Sequence, residues 1–110
     1  MTLYGIPTCD TCRKARKALE GAGHDVVLRD VRADGLSDGE VMEFVARFGE
    51  AVVNRKSATW RGLSEAERAG DPAALISAHP TLMKRPVIGD GATLTIGWDK
   101  DVQAGWGVSG

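Results

Sequence analysis

Long hydrophobic runs are missing from this sequence. No stretch approaches the roughly 18 apolar residues of a membrane span, and the opening MTLYGIPTC has neither the charged start nor the apolar centre of a secretory signal. A soluble, cytoplasmic protein without a membrane partner is expected. Neither sign of charge is in surplus: 14 basic against 15 acidic residues leave a formal charge of −1. Nothing in that balance calls for direct contact with nucleic acid or for a disordered acidic tail. Cysteine is scarce, two in 110 residues, which argues against a secreted disulfide framework. The ligands of structural zinc are wanting too. Besides the cysteines only His24 and His79 could contribute, and there is no second C-x-x-C and no H-x-x-x-H, so no metal is expected. Repeats and low-complexity tracts are absent. A chain of this length is expected to form one domain, 1–110, around one core.

What is present is an alternation of short apolar runs with helical patterns. TLYGI reads as a first strand, broken by Gly5 and Pro7. A helix follows, in which Cys12, Ala15, Leu19 and Ala22 share a face while Arg13, Lys14, Arg16, Lys17 and Glu20 fall largely on the others. Gly21 and Gly23 end it, and DVVLRDV is a second strand, completing a βαβ unit with parallel strands. Ser37 with Glu40 forms a capping box ahead of the apolar stripe Val41, Phe44, Val45 and Phe48, which stops at Gly49. AVVNRKSATWRGL fits neither period and is expected to be loop or irregular helix. Ser64 with Glu67 caps a further short helix, and Asp71-Pro72 starts another that His79-Pro80 ends. PVIGDGATLTI is a hairpin around Gly89-Asp90-Gly91, and DKDVQAGW a last short helix. The fold class is therefore α/β: a mixed four-stranded sheet, βαβ plus a ββ hairpin, with a helical insertion at about 37–80 between the halves.

The two cysteines, Cys9 and Cys12, sit between the first strand and the first helix. Thiols at i and i+3 on a helix start lie within disulfide reach, and the first meets the unpaired N–H groups of the opening turn. The helix dipole favours negative charge there and should lower the Cys9 pKa. Arg13 and Lys14 could help from the next turn, whereas Asp10 opposes them. In this reading Cys9 is the nucleophile and the more buried Cys12 the resolving thiol. The blander reading, two inert core cysteines, fits poorly with a position after a strand and at a helix mouth. His24 and His79 are expected only to meet carbonyls or water.

Thiolate chemistry on an anion needs fixed positive charge, best supplied by guanidinium. Candidates are Arg55 and Arg61 in the irregular segment and Arg85 before Pro86; any one of them taken alone reads as a solvated surface charge. Pro86 opens a strand and is the realistic place for a cis bond, with the isomer open. Trp60 is expected to cover the edge of the site, and Trp98 and Trp106 to pack the C-terminal segment.

TLYGIPTCDTCRKARKAL, NRKSATWRGL, HPTLMKRPVI and LTIGWD, in this order over nearly the whole chain, resemble the arsenate reductase-like (ArsC/Spx) family of thioredoxin-fold proteins, closest to its YffB-like branch. The resemblance implies a thioredoxin-like fold with a helical insertion and a thiol–disulfide oxidoreductase in which Cys9 is the redox nucleophile. It implies that Arg55 and Arg85 bind the anion and that Pro86 is a cis-proline. It further implies glutathione as co-substrate, or another small-molecule or protein disulfide as partner, with no bound cofactor. Two departures qualify it. Arsenate reductases of the family carry a third arginine near the end of the last strand, where this chain has LTIGWD around Gly97. Cys12, in turn, resembles the disulfide-switch regulators called Spx, which bind RNA polymerase, so redox-switched regulation and arsenate reduction proper stand as alternatives.

Overall fold

A computed structural model describes residues 1–108. Strand β1, Thr2–Gly5, is the axis of the sheet. It pairs in parallel with β2, Val27–Asp30, in the register Leu3 to Leu28. On its other side it pairs antiparallel with β3, Val87–Gly89, which continues into β4, Leu94–Ile96. The strand order is β2-β1-β3-β4: the mixed four-stranded sheet that the pattern of apolar runs implies, with the thioredoxin-like character that the family resemblance implies. At the hairpin turn Asp90 Oδ1 accepts from the amides of Ala92 and Thr93, at 2.9 and 2.7 Å, which also holds its carboxyl below the usual range.

The chain divides into two compact units. The sheet unit comprises Met1–Asp30 and the segment from Arg85 onward; the helical unit is Val31–Lys84. It begins six residues before and ends four residues after the 37–80 of the helical insertion read from the sequence.

In the sheet unit, helix α1 runs over Asp10–Gly21. Its buried residues Cys12, Ala15 and Leu19 follow the 3-then-4 spacing that puts side chains on one face. They pack with Leu3, Val26, Ile88 and Trp106. Leu3, Leu19 and Ile88 are fully buried, which stabilises by on the order of 1.5–3 kcal/mol for each such side chain. Ala22, expected on this stripe, is exposed instead, because the helix has already ended and its N–H only caps the last carbonyls. The short helix α7, Lys100–Gly105, is capped by Asp99 Oδ1 on the Val102 amide at 2.9 Å and delivers Trp106 to the core. The Trp106 Nε1 donates to Thr95 Oγ1 at 2.8 Å. His24 donates from Nε2 to the Trp106 carbonyl at 2.7 Å, meeting a carbonyl as expected.

The helical unit opens with a correction. Val31, read as the end of the second strand, is buried and begins the one-turn helix α2, Val31–Asp34, closed by the Gly35 amide on the Val31 carbonyl. Helix α3, Asp38–Phe48, has both bonds of the Ser37/Glu40 capping box, at 3.1 and 2.8 Å, and stops at Gly49, whose φ of +57° favours glycine. A 3₁₀ turn over Gly49–Val52 leads to Val53, which pairs antiparallel with Met83. The irregular segment then forms α4, Ala58–Arg61, followed by α5, Glu65–Arg68, and α6, Pro72–Ala78, each with the serine or aspartate cap its sequence carries. Val41, Phe44, Leu75, Ile76 and Leu82 bury the apolar faces of these pieces. His79 does more than was expected of it: its ring lies 3.7 Å from the Glu67 carboxylate. No helix among the described residues is long and apolar enough to cross a membrane.

Gly97, at the end of β4, has φ +82° and donates its N–H to the Pro86 carbonyl at 2.9 Å. A side chain here meets left-handed strain of about 1–2 kcal/mol. Gly97→Ala should lower the unfolding free energy by about that much in a denaturant titration; an unchanged midpoint would show that the turn relaxes.

Candidate active site

The break after β1 places the first thiol. Cys9 is extended, with φ −80° and ψ 119°, and is the N-cap of α1; its amide turns back to the Ile6 carbonyl at 3.2 Å. Its sulfur forms no short capping bond of the kind the serines make elsewhere. The amides of Cys12 and Thr11 nonetheless favour its thiolate. One turn on, Cys12 is 1% exposed while Cys9 is partly open, and both thiols are free.

This arrangement drives the two sulfurs apart in acidity. Partial burial alone would raise the Cys9 pKa; the Cys12 amide, the Cys12 thiol, the Arg85 charge and the Thr11 amide outweigh it, and the net effect is a lowered value. Cys12 moves the other way. Burial, then the Cys12 thiol's own bond to Cys9 and the negative charge there, push it up to about 12 against the opposing pull of the Ile6 amide and Arg85. A proton is thus held on Cys12 and directed at Cys9. The linkage has opposite signs for the two. The Cys9 contribution to stability is full above the unfolded thiol's pKa and is lost as pH falls through its depressed value. That of Cys12 is full below the ordinary value of 9.0 and is lost as pH climbs toward about 12.

Close packing fixes the inner sulfur. A Cβ on Gly5 would stand 2.5 Å from Cys12 Sγ, so the strand must carry glycine where it passes the thiol. Arg85 is half-buried at the entry to β3, where its charge bears on both sulfurs. The bond from Arg85 to Pro86 is cis, the isomer the family resemblance implies, and Pro86 is fully buried.

Of the residues singled out from the sequence, Cys9, Cys12, Arg85 and Pro86 all belong to the sheet unit. Arg55 belongs to the helical unit. There its guanidinium lies 4.0 Å from Glu50 and 5.7 Å from the centre of the Trp60 ring. Trp60 is itself approached by Arg68 at 5.4 Å, so what it covers within that unit is two guanidinium groups. Arg61 is exposed on α4. The help expected from Arg13 is corrected: its guanidinium is taken up by Asp10 at 2.6 Å. The same pair answers the opposition expected of Asp10, whose carboxyl is lowered by that hydrogen bond and charge. Among the described residues no cluster of three or more His, Cys, Asp or Glu could hold a metal ion. Sequence reasoning missed the role of Gly5, whose signal was a glycine inside a strand just ahead of the cysteine pair, and the Ile6 amide on Cys12, which left no signal.

A mixed sheet of this order with a C-x-x-C pair at the mouth of its first helix belongs to the thioredoxin-like class. Within it the ArsC family model matches residues 4–104, and the chain belongs to the ArsC family. It is 36% identical over 110 residues to an uncharacterized protein of Haemophilus influenzae, covering 94% of this chain and 96% of that one. The global transcriptional regulator Spx of Bacillus subtilis is 31% identical over 107 residues, covering 92% of this chain and 82% of the regulator. Among solved structures, a YFFB protein superposes with a TM-score of 0.87 at 34% identity, covering 94% of this chain and 96% of its own. An arsenate reductase (ArsC) related protein from Brucella melitensis gives a TM-score of 0.73 at 34% identity, covering 94% and 91%. The relatives thus include both a transcriptional regulator and a reductase-related protein.

The Arg85 charge is a separable contribution to the acidity of Cys9. In Arg85→Ala the pH–rate profile for alkylation of Cys9 by iodoacetamide should move to higher pH, with a severalfold loss of rate at neutral pH that Arg85→Lys partly restores. A profile that stays in place would remove Arg85 from the site.

Proposed function

We propose that the chain is a thiol–disulfide oxidoreductase of the reducing cytoplasm that uses glutathione, with Cys9 as its nucleophile. The observation that carries this reading is the asymmetry of the pair: a lowered, partly open Cys9 at a helix mouth beside a raised, buried Cys12. The Cys9 thiolate attacks one sulfur of a disulfide, the S–S bond breaks, and the departing sulfur leaves as a thiolate that takes a proton from solvent. A mixed disulfide on Cys9 results. A glutathione thiolate then attacks the substrate sulfur of that mixed disulfide, returning Cys9 as thiolate and carrying the substrate away as a disulfide with glutathione. Arg85 stabilises the anionic sulfur in both steps, and Arg55 is assigned to anion binding on the family resemblance. Cys12 could resolve the adduct only after losing its proton. Burial, the largest cause of its raised value, persists in the adduct and disfavours that at neutral pH, which supports glutathione in the second step. Arsenate reduction proper has less support, since Gly97 stands where the family's reductases carry a third arginine.

Intact mass after treatment with excess glutathione disulfide tests this directly. The expected product is a single glutathione adduct mapping to Cys9, absent in Cys9→Ser, which should also lose all reductase turnover. A rapid, complete internal Cys9–Cys12 bridge would make Cys12 the resolving thiol, and turnover in Cys9→Ser would end the enzymatic reading.

A second reading, a redox-switched regulator that docks on RNA polymerase, is favoured by one observation: similarity to Spx across 92% of this chain, with the C-x-x-C in place. Capture of purified polymerase by the reduced and oxidised protein checks it. Binding that changes with redox state supports regulation; no retention in either state removes it.

A further inference from the structure

Within the helical unit the residues after α3 form an open cleft of about 450 Å³, distinct in its lining from the cysteine site. Its construction is local and well fixed. Val53 pairs with Met83, the Asn54 amide donates to the Leu82 carbonyl, and the Lys84 amide donates to the Val52 carbonyl, both at 2.8 Å. This short ladder sets Lys84 beside the turn that carries Arg55 and Lys56, so two segments some thirty residues apart line one concavity.

The charges in the cleft do not balance. Arg55, Lys56 and Lys84 are answered by a single carboxylate, Glu50, which lies 4.0 Å from Arg55. The ammonium groups of Lys56 and Lys84 are exposed and pair with no carboxylate among the described residues. Asn54 adds a neutral donor. Its Oδ1 accepts from the Lys56 amide at 3.0 Å, which fixes the orientation of the side-chain amide and leaves the Nδ2 hydrogens without an acceptor among the described residues. Two uncompensated cations and a free amide donor facing one hollow are what a ligand with several acidic oxygens needs. The volume lies within the range typical of small-molecule sites, about 300–1,000 Å³. The hollow is open and its charged groups stay hydrated, so binding should weaken steeply with salt.

We propose that this cleft is a binding site for a small, multiply charged anion, held by Lys56 and Lys84 with Asn54 as an oriented donor. Carboxylates and phosphates share the chemistry it would recognise. The Glu50 carboxylate sets a preference among them: an anion that also carries an ammonium group can place it there, whereas a bare polyphosphate cannot. The site shares Arg55 with the anion binding assigned above, but it needs no reaction at Cys9 and stands whether or not the thiol chemistry does.

The test is a ¹⁵N-amide NMR titration of the full chain at low salt with two probes, inorganic pyrophosphate and glutathione disulfide, under conditions where Cys9 is replaced in Cys9→Ser so that no adduct forms. Saturable shifts centred on Asn54, Arg55, Lys56 and Lys84 are expected from at least one probe. Affinity should fall about tenfold in each of Lys56→Gln and Lys84→Gln, and more in Lys84→Glu, with the spectrum otherwise unchanged. Response to glutathione disulfide alone would support both the site and the preference set by Glu50; response to pyrophosphate alone would support the site as one for phosphates and overturn that preference. Absence of saturable shifts with either probe, or equal affinity in the lysine variants, would overturn it.

Discussion

The constraint on which the rest depends is the mouth of α1, where backbone amides without helical partners face a sulfur rather than water. A helix that began one residue later would leave Cys9 an ordinary surface thiol. The fold prevents this by local means. The turn over Ile6–Cys9 is closed by a backbone hydrogen bond of 3.2 Å, and the Cys9 carbonyl accepts the first helical bond from Arg13 at 3.0 Å. From there Cys12, Ala15 and Leu19 lock the helix onto the sheet. The packing that stabilises the unit is therefore the same packing that aims the amides.

The second sulfur shows how core and chemistry are joined. Cys12 is a member of the apolar cluster, and Gly5 gives up its side chain so that the thiol can fit against β1. Burial raises Cys12 and keeps its proton, and a protonated Cys12 is a donor to Cys9. A buried hydrophobe and an activating hydrogen-bond donor are here one group. Replacing it by a residue of equal volume would preserve the first role and lose the second.

Much of this was legible in the sequence where a local rule decides the outcome. The Ser37/Glu40 and Ser64/Glu67 boxes and the Asp71-Pro72 start occur where the sequence pattern puts them, because a cap depends only on residues three apart. The parallel first pair and the terminal hairpin followed from the βαβ spacing and the Gly89-Asp90-Gly91 turn; that the hairpin joins the sheet beside β1 did not. Val31 was misread because an apolar run carries no mark of where strand gives way to helix; a buried valine serves either. The site divides in the same way. The placement of Cys9 and Cys12 on a helix start could be read from the sequence, but the neutralisation of Arg13 by Asp10 was not anticipated, since a pair at i,i+3 competes with the thiol for the same guanidinium. The Ile6 amide on Cys12 is a tertiary contact that spacing does not encode. The Arg55–Glu50 and Trp60 contacts likewise arise only from the path of the irregular segment.

The account rests on two neighbouring thiols of opposite character, and a site-resolved titration measures that directly. With both cysteines ¹³Cβ-labelled and kept reduced, Cys9 should titrate below the ordinary thiol value of 9.0 while Cys12 holds its proton far into the alkaline range, toward about 12. Two unexceptional titrations near the ordinary value, or Cys12 ionising before Cys9, would contradict it.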